Sequence, residues 1–377
     1  MKYRIVALII GGISLGFSTA GHTQERQVDF QPQAKVSRLS QADNQSVFIE
    51  RQAVDKIMNA YKAKGFVGQV IISDRNSTIY TKSIGDAVKG EKLYTNRTVV
   101  DIASVSKQFT AAAIMKLVEQ GELNLSAPIS QYIDHVPADK QAITLHLMLS
   151  HTAGFKRHLG RDSDMMPKAT MIKQAMATPL AFGIGERYHY SDIGYVLAAV
   201  IIEKVTGQSY EDYVYTNLWQ PAGMENTGYT RPDWSGFTVP QIVEPYGGFH
   251  SPLKFVRAAK GNFWNMKGAG GVFSTSADMM KWHRALLSDH ILTQKLKDKL
   301  FALHTPEEDA GYFYGYGWSL VPDHKGGKLI WHNGMSFFNR AEFWRIEESG
   351  MGIFVTSHTG PVSPYVIARD IDRLLHP

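Results

Sequence analysis

The chain of 377 residues contains no cysteine. Disulfides, thiolate chemistry and lipid attachment to an N-terminal cysteine are therefore excluded. The H-E-x-x-H zinc signature is missing, and the fourteen histidines show no metal-ligand spacing. Neither a metal nor an organic cofactor is expected. No basic stripe interleaved with aromatics occurs, which argues against nucleic acid as a partner. Internal repeats and low-complexity tracts are absent too. The G-x-S-x-G at Gly12-Ile13-Ser14-Leu15-Gly16 lacks the strand before it and the helix after it that a nucleophile elbow needs.

That stretch belongs to a leader. Lys2 and Arg4 are followed by an apolar run from Ile5 to Phe17 and by the small residues Ser18-Thr19-Ala20. This is the order of a cleaved signal peptide, and the run is too short to span a bilayer comfortably. The expected product is periplasmic or secreted, with no stable membrane anchor after cleavage. Removing Lys2 and Arg4 from the 40 basic residues leaves 38 against 35 acidic, close to neutral. Residues 21–45 are polar and without period, a flexible lead-in. Residues 46–377 are read as one domain.

Within it, Phe48, Ile49, Val54, Ile57, Met58 and Tyr61 recur at helical spacing up to Gly65. Val67 to Ile72 and Thr78 to Lys82 flank Ser73-Asp74-Arg75-Asn76-Ser77 as a hairpin. Helices are predicted from Lys107 to Gln120, Leu145 to Ser150, Lys168 to Ala177, Ile193 to Thr206, Tyr210 to Leu218 and Ala277 to Leu287. Strands return at Gly315 to Leu320, Lys328 to Trp331, Glu342 to Ile346 and Gly352 to Thr356, before a last helix from Tyr365 to Leu375. Strands at both ends with helices between predict one sheet built from both termini, with a helical region inserted.

The chemistry centres on Ser104-Val105-Ser106-Lys107. A serine hydroxyl needs a base within hydrogen-bond reach. If Ser104 opens a helix, Lys107 lies one turn on and on the same face. The alternative for Ser104 is a plain helix cap. A second S-x-x-K, Ser251-Pro252-Leu253-Lys254, sits in a Gly/Pro-rich loop where nothing fixes the lysine relative to the serine. His151, beside Ser150 and Thr152, reads as structural.

Three ordered motifs carry a resemblance: Ser104 to Lys107, Tyr190-Ser191-Asp192, and His332-Asn333-Gly334. With them come Leu147-Met148-Leu149-Ser150-His151-Thr152-Ala153-Gly154, Pro221-Ala222-Gly223-Met224, Gly270-Gly271-Val272-Phe273-Ser274-Thr275 and Tyr314-Gly315-Tyr316-Gly317-Trp318. From about Phe48 onward the chain resembles the serine β-lactamase and penicillin-binding-protein superfamily, in its class C-type branch. The resemblance implies an α+β fold: an antiparallel sheet flanked by N- and C-terminal helices, with an inserted, mostly helical region. It implies Ser104 as nucleophile, and Lys107 and Tyr190 sharing the proton transfers. The oxyanion would be held by the backbone N–H groups of Ser104 and Met335, with His332, Asn333 and Gly334 on the strand along which substrate lies. Expected substrates are small-molecule or short-peptide acyl compounds: β-lactams or D-amino-acid peptides.

Two departures stand out. Asp192 replaces the usual Asn. An ionised carboxylate there would keep Lys107 protonated or meet a substrate's free amino group; alternatively it caps the helix from Ile193. After Gly334 the chain reads Met335-Ser336-Phe337-Phe338-Asn339-Arg340, where relatives are small and Gly-rich. The phenylalanines are expected to face the core, the alternative being a narrowed acyl pocket; Arg340 would attract a substrate carboxylate. His332 in place of Lys resembles the peptidase and esterase branches. Two rival functions follow: a β-lactamase-like carboxylesterase, and a sensor acylated by cell-wall fragments without turnover.

Overall fold

A computed structural model describes residues 51–161, 164–230, 234–239, 242–243, 249–250, 263–307, 311–337 and 339–377. The leader, the lead-in, Phe48, Ile49, Phe338 and the second S-x-x-K at Ser251 lie outside the described residues.

Helix α1 (Arg51–Ala63) buries Val54, Met58 and Tyr61, and Gly65 follows it at φ +87, a conformation that costs glycine little. The predicted hairpin is β1 (Val67–Ser73) and β2 (Thr78–Ile84). Asp74 accepts from the backbone N–H of Asn76 and Ser77 and so closes its turn. Short strands β3 (Asp86–Val88) and β4 (Lys92–Leu93) pair with each other, and β5 (Val99–Asp101) leads to Ser104. The helices α2 (Lys107–Glu119), α3 (Leu145–Leu149), α4 (Lys168–Ala177), α5 (Asp192–Thr206) and α6 (Tyr210–Val214) make up the inserted region. The predicted helix over Tyr210 to Leu218 is cut short at Val214, where the wider π-turn Tyr215–Trp219 takes over.

Strands β6 (Ile242–Val243) and β7 (Phe249–His250) form a small ladder, and β8 (Phe273–Thr275) pairs with β5. Then come α7 (Ser276–Ala285), α8 (Gln294–Leu300), β9 (Thr305–Pro306), β10 (Phe313–Tyr314), β11 (Ser319–Val321), β12 (Leu329–Met335), β13 (Arg340–Ile346), β14 (Met351–Thr359) and α9 (Pro364–Leu375). The strand expected over Gly315 to Leu320 is in fact a turn followed by β11. Gly315 N–H donates to Trp318 O, and Gly317 takes φ +77.

The eight-stranded sheet runs β2-β1-β14-β13-β12-β11-β10-β9 and is antiparallel at every pairing. Val70 and Trp344 of one face pack with α1 and α9, whose Val54, Met58, Ile367 and Ile371 are buried on it. The other face, with Ile71, Phe343 and Phe354, packs against the helical region. Helix α2 is buried on all sides where it runs through the middle of that region: its residues from Lys107 to Met115 are buried. No helix among the described residues is long and apolar enough to cross a membrane.

Candidate active site

Ser104 sits one turn earlier than a helix start, in the 3-10 turn Ala103–Ser106 that runs into α2. This corrects the helix-opening expectation and keeps its consequence, since residues i and i+3 eclipse in a 3-10 turn. Lys107 Nζ lies 3.3 Å from Ser104 Oγ. The residue before the serine, Ala103, has φ +48, a left-handed conformation costly for alanine. Asp101 Oδ1 holds it by accepting from Ala103 N–H at 2.8 Å, and Ala103 O accepts from Ser106 Oγ at 2.6 Å.

Lys107 is fully buried at the start of α2. Its Nζ donates to Ser104 Oγ, to Asp192 Oδ1 at 2.5 Å and to Ala269 O at 2.8 Å. Three acceptors suit the three protons of an ammonium. The same nitrogen lies 4.8 Å from the Tyr190 ring centroid and 5.6 Å from that of Tyr195. Burial would lower the lysine's pKa, but the Asp192 charge and hydrogen bond, above all, hold it above its ordinary range. Burial raises the half-buried Tyr190 phenol, and Lys107 with Ser104 only partly offsets this. The pair therefore rests as ammonium and phenol.

Asp192 is the first residue of α5, and Ser191 occupies the position before it, so the helix-cap reading of Asp192 is corrected. Its backbone N–H donates to Arg157 O, and both carboxylate oxygens are taken. Oδ1 accepts from Lys107, and Oδ2 lies 2.8 Å from His158 Nδ1. Burial pushes the carboxyl up, yet the Lys107 charge overrides this and holds it well below the usual carboxylate range. With both oxygens occupied and the residue only 4% exposed, a substrate amine does not reach it in this arrangement.

Around these groups the aromatic side chains are locked by hydrogen bonds. Asn333 O can only accept, so its contact with His332 Nδ1 at 2.5 Å puts the proton on that nitrogen. His332 Nε2 then accepts from Tyr314 OH at 3.0 Å. Burial first, and the Lys107 charge second, lower the His332 pKa to about 3, so the ring is neutral at ordinary pH. His151 Nδ1 accepts from Ser191 N–H at 3.1 Å, and its buried ring packs 4.3 Å from Tyr190 and 4.5 Å from Tyr314. It props Tyr190 from behind.

Strand β12 closes the cleft. Gly334 is required by contact: a Cβ there would lie 2.3 Å from Ile102 O and 3.1 Å from Ala103 Cβ. Strand β11 covers only Leu329 to Trp331, so no described strand pairs with the edge of β12 beyond on that side. Ser336 N–H donates to Asn339 O at the hairpin, and inward and outward residues alternate from there. The backbone N–H groups of Met335 and Asn333 consequently face the open edge. The Met335 and Phe337 side chains are exposed, 59% and 58%. For Phe337 the core-facing expectation is thus corrected, because it sits at the tip of the β12–β13 hairpin.

Arg340 pairs with Met335 across that hairpin and is exposed. Its side chain leaves the sheet on the face opposite His332 and Gly334, with no hydrogen bond or ion pair to the Ser104 cluster among the described residues. The sequence motifs missed Ala269, whose carbonyl completes the Lys107 shell, and His158. Arg157 was missed too; its guanidinium lies 5.2 Å from the Tyr190 ring centroid. Tyr314 stood in a segment already singled out by the resemblance. His158 carried no motif at all.

The Beta-lactamase family matches residues 51–376, and the chain belongs to it. It is an enzyme of the serine-hydrolase type that this family comprises. Over 312 residues it is 28% identical to the putative penicillin-binding protein PbpX of Bacillus subtilis, covering 82% of this chain and 75% of that one. Penicillin-binding protein 4* of the same organism is 29% identical over 290 residues, 71% of this chain and 63% of that one. A putative D-alanyl-D-alanine carboxypeptidase of Salmonella paratyphi A is 27% identical over 259 residues, 60% of each chain. The fold is shared with the octameric penicillin-binding protein homologue from Pyrococcus abyssi, at TM-score 0.76 and 24% identity over 87% of this chain and 77% of that one. It is shared also with a class C beta-lactamase, at TM-score 0.71 and 18% identity over 86% and 95%.

Proposed function

We propose that this chain is an exported acyl-serine hydrolase that forms a covalent acyl-enzyme on Ser104 and acts on β-lactams or D-amino-acid peptides. The observation that carries the reading is the buried Lys107 ammonium touching both Ser104 Oγ and Asp192, with the Tyr190 ring beside it. Kinship with penicillin-binding proteins and a carboxypeptidase supports the substrate class.

Ser104 Oγ attacks the acyl carbon while its proton passes to the Lys107–Tyr190 pair. That pair must first lose one proton, as amine plus phenol or ammonium plus phenolate, and the two forms titrate together. The oxyanion forms against the N–H groups of Ser104 and Met335. The pair returns the proton to the leaving nitrogen, and water then attacks the ester. Asn333 and the open edge of β12 align a peptide-like substrate as an added strand.

The test is intact-protein mass over time with benzylpenicillin, for the exported protein and for Ser104→Ala. The expected result is an adduct of one penicillin per chain that Ser104→Ala lacks. Its lifetime separates a penicillin-binding peptidase from a β-lactamase, and an adduct that never turns over identifies the sensor. Failure to see either adduct or drug loss overturns the β-lactam branch. The esterase reading then leads, since the exposed Met335 and Phe337 offer an apolar lip for an acyl chain. Export predicts a purified N-terminus after Ala20.

Asp192→Asn gives a pH signature. Asp192 raises the Lys107 pKa, so removing its charge lowers that pKa. The acid limb of the acylation rate should move to lower pH by about one unit or more. An unmoved limb, with rates toward esters and β-lactams both unchanged, would show that Asp192 does not tune the lysine.

A further inference from the structure

We propose that His158 is a positioning residue for the Ser104–Lys107 pair, acting through the second carboxylate oxygen of Asp192. The inference rests on Ser104 and Lys107 being the acylating pair.

The contacts form a chain from solvent inward. His158 is 41% exposed along its side chain, whereas Asp192 is 5% and Lys107 0% exposed. His158 Nδ1 meets Asp192 Oδ2 at 2.8 Å, Asp192 Oδ1 meets Lys107 Nζ at 2.5 Å, and Lys107 reaches Ser104 Oγ. A carboxylate only accepts, so Nδ1 carries the proton whether the imidazole is neutral or charged. Without that donor, the buried Oδ2 of Asp192 would have no protein partner among the described residues and would draw in water or rotate.

The second effect is electrostatic. A hydrogen bond to Oδ2 withdraws part of the carboxylate's charge from Oδ1 and eases deprotonation of Lys107. Other charged or titratable groups bear on the same array. Arg157 lies over the Tyr190 ring. His151 and His332 are buried, with pKa values lowered by burial and by Lys107, and are neutral. His158 differs from both histidines by its access to water.

The experiment measures acylation rate against pH for His158→Ala, alone and combined with Asp192→Asn, with melting temperature recorded for each. His158→Ala should acylate about three- to tenfold more slowly near neutral pH, the range one hydrogen bond commands. Its acid limb should move up by about half a unit, opposite in sign to Asp192→Asn. His158→Gln, which keeps an N–H donor, should recover part of the rate. In the Asp192→Asn background, His158→Ala should change nothing further. An unmoved acid limb, or an equal loss in both backgrounds, overturns the proposal. Acylation surviving in Ser104→Ala would instead strike at the assignment of the nucleophile, so the two failures are separable.

Discussion

Lys107→Met should lower the acylation rate about 100- to 10,000-fold, the span a positioned proton-transfer group commands. It should also destabilise the fold, and the second effect identifies the first. Asp192 is buried and loses its ammonium partner while keeping His158. Breaking a buried pair by removing one member costs about 3–5 kcal/mol, and the retained histidine places the expected loss near the lower end. The uncompensated carboxyl then titrates above its unfolded value. Its contribution to stability is present at acid pH and is lost as pH rises through the new, higher pKa. Urea unfolding of Lys107→Met at pH 5 and pH 8 should show the deficit growing with pH. Combining it with Asp192→Asn should restore most of the stability and none of the activity. A double variant as unstable as the single one would mean that the loss came from packing of the lysine stem.

Gly334→Ala should cost about 100-fold in acylation, with the fold retained. Its Cβ would stand 2.3 Å from Ile102 O, a backbone atom that cannot swing aside. Either the end of β12 or the Ser104 loop must shift by several tenths of an ångström or more, and displacement of a catalytic group by about 1 Å costs on the order of 100-fold. Overpacking of this kind costs about 1–3 kcal/mol. Gly236→Ala is the control, since a Cβ there meets nothing within 4 Å among the described residues and its φ is not positive. If Gly334→Ala acylates at the wild-type rate, the close approach of β12 to Ser104 does not set the site.

Much of the fold was legible because the signals were local. The β1–β2 hairpin announced itself as two strand-forming runs flanking the polar turn Ser73-Asp74-Arg75-Asn76-Ser77. Helix α4 matched its predicted span from Lys168 to Ala177, and α5 began one residue before its predicted Ile193. Strands β12 and β14 proved longer than their apolar runs. Their ends carry His332, Asn333 and Ser357, polar residues kept in the sheet by pairing with β13. Strands β9 and β10 are two residues each, β10 pairing with the edge of β11 and β9 with β10, too short for an alternating pattern to announce them.

At the site, spacing brought Ser104 to Lys107, and ordered motifs brought Tyr190 and His332. The partner of Asp192 was invisible for a different reason. His158 lies in a Gly- and Arg-flanked loop before α4, and its meeting with α5 is made by tertiary packing alone. Phe337 misled because an aromatic beside a strand usually packs inward, whereas here the hairpin ends under it.

Pairing of β1 with β14 ties Val70 to Val355, and the Ser104 loop leans on β12. Synthesis from the N-terminus therefore yields the serine, the lysine and the tyrosine long before the strands that hold them in place. Strand β14, interior to the sheet, is made after all of them. Closing such distant pairings is entropically slow. A nascent or truncated chain should carry every reactive group and yet stay chemically silent. Acylation would switch on only as the final strands dock, which makes the enzyme's own reactivity a reporter of completed folding.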